Sequence, residues 1–326
     1  MIHITYIPSR KGILSSGHIM WEIFSTFILS KLLEAQPIWN KNWNKTSFIS
    51  ETSFKKYTAI RLTSYDHILK INKNIWRSLN YFEVQKIIQL IKKTAQTKDN
   101  ILVEFSNMCK IHLDILCYWY NTKKIKQDIF NLQAKPILQK LYYEDHIKSP
   151  IINSVAIHIR RGDLARWCYA IGFNLKYYTN IINIINENLN IPINIYCEDG
   201  YTPCSGSRIK RREEELKKFN FNDIMILEKL NNVTIIKGKP YGSDFNNHFN
   251  KLCRSKILIA AASSFSIWAA FISNNIVFLD KKCINMRPEF KYCEHVPNFI
   301  VFENLKNFKN KILEIKQQIY TLETLK

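Results

Sequence analysis

The rhythm of apolar and polar residues changes near the middle of the chain. In the first part, Ile2–Ile7 reads as a strand. A loop of serine, glycine and lysine follows, and apolar residues then recur at helical spacing over 18–33. Residues 36–60 mix polar and aromatic residues (WNKNWNK near the start) and predict an exposed loop. Helical periodicity returns over 80–95 and 123–143. Between them the apolar stretch 101–120 fits either a strand or a buried helix.

From residue 150 the alternation is regular. Strand 154–160 precedes helix 176–190, strand 193–197, helix 209–219 and strand 233–237. Helix 245–253, strand 256–260, helix 265–273 and strand 276–280 follow, and an amphipathic helix over about 304–322 closes the chain. Strands alternating with helices predict a parallel sheet with helices on both faces. The polar, proline-terminated segment 144–150 predicts a boundary between an N-terminal α/β domain, 1–147, and a C-terminal α/β domain, 148–326. Two such halves would leave a cleft, and ligands of these sheets bind beyond the C-terminal strand ends.

Composition narrows this picture only a little. With 46% hydrophobic and 13% aromatic residues, each half has material for a core and disorder is disfavoured. The 47 Lys and Arg against 27 Asp and Glu give a net charge of +20, which favours polyanionic partners without choosing among them. Ile, Asn and Lys, all with AT-rich codons, are heavily used, so the lysine excess is discounted as a functional signal. The eight cysteines form no CxxC pair, and no close-spaced zinc ligands occur. Reduced thiols and a cytoplasmic location are expected, with Cys283–Cys293 pairing as the alternative in a secreted protein. The N-terminus lacks the order of a signal peptide. The run IMWEIFSTFILSKLL is short and carries Glu22, so no membrane span is expected.

Four stretches carry candidate chemistry. In SVAIHIRRGDLARW, 154–167, an apolar strand runs into two guanidiniums, a glycine and a carboxylate. Arg160 and Arg161 at a strand mouth suit a phosphate, because the planar guanidinium fork binds it bidentately. Gly162 would let the backbone turn sharply towards a ligand. The competing reading is an arginine–Asp163 salt bridge closing a surface turn. In INIYCEDG, 193–200, a strand ends in Glu198 and Asp199, which suit nucleobase N–H groups or a sugar hydroxyl, or else a helix N-cap and turn. In KILIAAASSFSIWAAF, 256–271, Ser263, Ser264 and Ser266 fall where a helix begins. Free N–H groups, the helix dipole and hydroxyls would make an anion site, or the serines would simply cap the helix. Trp268 to Phe271 read as core packing. In SSGHIMWEIF, 15–24, Gly17 and His18 would face the cleft from the other side. Glu22 is a candidate base or a solvated helix residue, and His18 is a cleft residue or only a helix-start residue.

Strand-HIRRGD, strand-EDG and strand-SSFSIWAA, in this order, resemble the inverting fucosyltransferase superfamily, which includes α1,2-, α1,6- and protein O-fucosyltransferases. HIRRGD resembles the family's HxRRxD donor motif, and 244–280 is similar to the α1,2 group's region around SSFSWW. The family's tyrosine after RGD is Leu164 here, and its double tryptophan is Ile267–Trp268. The resemblance covers roughly residues 154–280. It implies two Rossmann-like domains facing across a cleft (the GT-B arrangement), with the donor in the C-terminal domain and the acceptor in the N-terminal one. It further implies that Arg160 binds the β-phosphate of GDP-fucose, and that His158 and Asp199 approach the guanine. Ser263 and Ser264 would line the phosphate and nucleotide pocket. A glycan hydroxyl would be the acceptor, Asp163 or Glu22 the general base, and no metal or other cofactor would be needed. Two readings from other classes stand beside this one: a basic nucleic-acid-binding protein, and a transferase-fold scaffold or lectin without turnover.

Overall fold

The computed structural model describes residues 1–7, 26, 30, 33–38, 65–72, 81–106, 135–136, 139, 151–161, 168, 172–198, 220, 222–238, 244–286, 290, 293–294 and 296–324. The chain divides into two compact units, Met1–Lys148 and Ser149–Lys326.

In the first unit, strand β1 (Ile2–Ile7) lies between β2 (Gln36–Pro37) and β4 (Ile101–Ser106), and β3 (His67–Asn72) adds to the far side of β4. All pairings are parallel. Helix α1 (Tyr81–Thr97) precedes β4, and its Ile87 and Ile91 are buried, as are Ile4, Ile101 and Val103. The ambiguous stretch from 101 thus begins as a strand. Gln36 and Pro37 pair with β1 and correct the expectation of a loop from residue 36; two residues are too few to show a period. Strand β3 was not legible either, because Ile68, Leu69 and Ile71 put apolar groups on both parities. Ile68 is in fact exposed and Ile71 buried. Of the helices expected over 18–33 and 123–143, residues 26, 30, 135, 136 and 139 are helical, Leu33 lies in a turn, and the rest lie outside the described residues.

The second unit is built on β5 (Ile152–Ile159), β6 (Ile193–Glu198), β7 (Val233–Gly238), β8 (Ser255–Ala260), β9 (Ile276–Asp280) and β10 (Phe299–Phe302). Among the described residues their order is β10-β9-β8-β5-β6-β7, parallel throughout. Counted from β5, this is the 3-2-1-4-5-6 order of doubly wound nucleotide-binding sheets, whose chain reverses direction between the first and fourth strands. Ser154 to Ile159 are all buried, as expected of a central strand covered on both faces.

Helix α2 (Leu175–Asn188) is capped by Asn174, whose side-chain oxygen accepts from the Tyr177 N–H at 3.0 Å. It buries Tyr178, Ile181, Ile182 and Ile185, the one-face spacing of an amphipathic helix. Helix α3 (Asp244–Arg254) packs against α4 (Ser264–Ile272). After the short α5 (Lys281–Met286), α6 (Leu305–Thr324) sets Phe308 against Phe278 and Phe302, with centroids 5.0 and 4.9 Å apart. A 3-10 helix, Asp223–Lys229, precedes β7, while the expected helix 209–219 lies outside the described residues. The five described cysteines, Cys283 and Cys293 among them, are buried thiols outside any disulfide. No helix among the described residues is long and apolar enough to cross a membrane.

Candidate functional site at the switch point of the second sheet

Strands β5 and β8 are neighbours, with Ile157 paired to Ile259, so their C-terminal ends open side by side at the reversal of the sheet. His158, Arg160 and Arg161 leave one end, and Ala261 to Ser264 leave the other and start α4. Residues about 100 positions apart in sequence are thereby joined. The His158 ring lies 5.3 Å, centroid to centroid, from Phe265 of α4, which in turn lies 5.4 Å from Phe249 of α3.

His158 is 5% exposed, and its Nδ1 is buried without a hydrogen-bond partner. Burial, then the charge of Arg160 and the neighbouring His248, lower its pKa to about 3. The ring is therefore neutral across the physiological range. His248, on the inner face of α3, stands edge-on to Tyr196 of β6 at 5.4 Å and fits against Gly238 at the end of β7. A Cβ at Gly238 would come within 2.3 Å of His248 Cε1, so glycine is needed here for close approach.

The two arginines point to different partners. Arg160 keeps about a quarter of its side chain exposed and pairs through Nη1 with Glu198 Oε1. Arg161 is 2% exposed; its Nη2 donates to Asp223 Oδ1 at 2.6 Å and to the Asn220 carbonyl at 3.1 Å. Arg160 and Arg161, both expected at a phosphate, thus have different partners in the fold: Arg161 ties the end of β5 to the 3-10 helix. Glu198, expected at a nucleobase or sugar, bridges both arginines. Its Oε2 accepts the Arg161 backbone N–H at 2.8 Å while Oε1 meets Arg160.

The three serines also divide. Ser263 is the N-cap residue of α4 in extended conformation, but its side chain makes no capping hydrogen bond. Its carbonyl accepts from the Ile267 N–H at 3.1 Å. Ser263 and Ser264 are 5% and 8% exposed, and so buried. Ser266 is fully buried. Its hydroxyl accepts the Ala261 N–H at 3.1 Å and lies 3.3 Å from the Ala261 and Ser263 carbonyls. It staples the turn from inside. Ile267 and Trp268 are fully buried, the core role expected of Trp268.

Asp163, Asp199, Gly17, His18 and Glu22 lie outside the described residues, as do Gly162 and Leu164. Sequence reasoning passed over His248, Phe265, Asp223 and Gly238. The helical period of 244–254 places His248 beside Phe249 and Leu252 on the buried face, a signal that was present. Asp223 gave none, because its partner is 62 residues away in sequence. At the end of β9, Asp280 accepts from the Tyr177 hydroxyl at 2.9 Å and from the Lys282 N–H at 2.8 Å. Burial raises the pKa of both Asp280 and Tyr177, and this pair caps α5. Among the described residues, no group of three or more His, Cys, Asp or Glu is placed to hold a metal ion.

No protein-family model matches the chain, and neither does any curated protein sequence. Among solved structures, it is similar to a protein from Listeria monocytogenes described as a UDP-N-acetylglucosamine 2-epimerase. The identity is 10%, coverage is 96% of this chain and 87% of that one, and the TM-score is 0.33. It is also similar to a glycotransferase of kitacinnamycin at 7% identity, covering 97% and 90%, with a TM-score of 0.31. Likenesses this distant do not bear on what the chain does.

Proposed function

We propose that the chain is a glycosyltransferase binding a nucleotide-sugar donor in its second unit, with GDP-fucose as the donor and a glycan hydroxyl as the acceptor. The observation that carries this reading is the meeting of the His158–Arg160 strand end with the Ser263–Ser264 helix start at the reversal point of the sheet. A cation, the positive end of a helix dipole and a buried neutral imidazole converge where doubly wound sheets hold nucleotides.

In this reading the acceptor oxygen attacks the sugar C1 as the bond from C1 to the diphosphate oxygen breaks, inverting the configuration. The electron pair stays on the leaving diphosphate, and the acceptor proton passes to a carboxylate, Asp163 or Glu22. Arg160 and the start of α4 stabilise the charge that develops on the diphosphate, so the reading assigns that task to no metal. Ser263 and Ser264 border the phosphates, His158 forms the floor of the nucleotide site, and Asp199 faces the base.

Calorimetric titration of GDP, UDP, ADP and GDP-fucose into wild type and Arg160→Ala tests this. The expected result is selective GDP binding that weakens at least roughly tenfold in Arg160→Ala, the equivalent of one lost charge-assisted contact. Selective UDP or ADP binding would keep the transferase and discard fucose. Absence of nucleotide binding would overturn the proposal.

A further inference from the structure

Glu198 ends β6, next to the end of β5, and both of its carboxylate oxygens are directed across to that strand. One meets the Arg160 guanidinium. The other accepts the Arg161 backbone N–H at 2.8 Å. The second bond matters because a backbone donor does not change rotamer: it anchors the carboxylate whatever the Arg160 side chain does. Glu198 is 15% exposed, so the pair is partly withdrawn from water and interacts more strongly than a surface pair. An arginine side chain otherwise carries considerable rotamer freedom, which a fixed counter-ion removes before any ligand arrives.

We infer that Glu198 is a positioning residue that holds the Arg160 guanidinium at the strand mouth, ready for the terminal phosphate of a nucleoside diphosphate. This rests on the proposed reading of Arg160 as a diphosphate ligand. The opposite possibility is that Glu198 is a resident anion which the phosphate must displace. A carboxylate anchored by a main-chain N–H is poorly suited to leaving, and the two roles predict opposite signs.

The test compares GDP with GMP by calorimetry, with the uridine and adenosine pairs in parallel, in wild type, Glu198→Gln and Glu198→Asp. Glutamine keeps the size and an acceptor oxygen for the Arg161 N–H but removes the charge that orders Arg160. The expected result is a wild type that prefers diphosphate over monophosphate. Glu198→Gln should lower that preference about tenfold through the diphosphate alone, and Glu198→Asp should recover part of it. A purely structural residue would lower the melting temperature and leave the ratio unchanged, overturning the inference. A ratio that rises in Glu198→Gln would make Glu198 a competitor and overturn it too. A wild type without diphosphate preference for any base would instead remove the donor reading itself, and this inference with it. If Glu198→Gln does not fold, Glu198→Asp is read in the same way, since its shorter arm misplaces Arg160 while keeping the charge.

Discussion

His158 and Arg161 show how the same strand end can hold two polar groups for different reasons. Burial keeps His158 neutral, with a pKa of about 3 against an ordinary 6.5. Below pH 6.5 the unfolded chain takes up this proton and the folded one does not. The stabilising contribution is therefore complete above pH 6.5 and is lost as pH falls towards 3, by up to about 1.4 kcal/mol per pH unit. Urea unfolding at pH 7, 6 and 5 should show this slope reduced in His158→Gln relative to wild type; identical slopes would mean that His158 is protonated in the fold. Arg161 is buried against Asp223, and removing one partner leaves the other charge without its counter-ion. Arg161→Met should lose about 3 kcal/mol of stability, the low end for a broken buried pair because Asp223 keeps a fifth of its side chain exposed. A loss below about 0.5 kcal/mol, the size of ordinary surface effects, would return Arg161 to the ligand-facing role.

At the level of elements, what holds the site is the fit of α3 and α4 onto the mouth of the sheet. Ser266 closes the turn between β8 and α4 from inside, and Ser263 and Ser264 are buried beside it. On the other side, α3 reaches the end of β7 only because Gly238 has no side chain to oppose His248. Gly238→Ala should therefore cost about 1–3 kcal/mol, the range for overpacking a filled site. In combination with His248→Ala much of that cost should vanish, giving a clear coupling energy in a double-mutant cycle. Additive effects would show that the β7–α3 contact is not what requires the glycine.

For the molecule as a whole, two compact units each carry a parallel sheet, and the proposed nucleotide site belongs to the second. Binding that favours the folded state should protect backbone amides nearest the ligand. Hydrogen exchange with saturating GDP should slow at Ile157–Arg161 and Ala261–Ser266, and Arg160→Ala should abolish the effect. Protection that skips both segments and falls on β3 and β4 would move the nucleotide out of the second unit.

Much of the second sheet was legible in the chain, because its strands from β5 to β9 and the helices α2, α3 and α4 are long enough to complete their own periods, whereas the 3-10 helix Asp223–Lys229 was not foreseen. The strand ending in HIRR and the serine-started helix were readable for the same reason: a local pattern specifies a local element and the residues at its end. Short or edge elements (β2, β3, β10 and α5) had too few residues, or too mixed a burial, to leave such a mark. Side-chain direction was a different matter. Adjacent arginines look alike in sequence, yet just past the end of β5 the partner each one meets is decided by distant segments. Arg160 meets Glu198 and Arg161 meets Asp223 because β6 and the 3-10 helix arrive there. All three serines are buried, but only the tertiary packing shows that Ser266 spends its hydroxyl on the Ala261 and Ser263 backbone while Ser263 makes no side-chain capping bond. The chain by itself determined which groups stand at the mouth of the sheet; only the tertiary structure decided which of them it holds for itself.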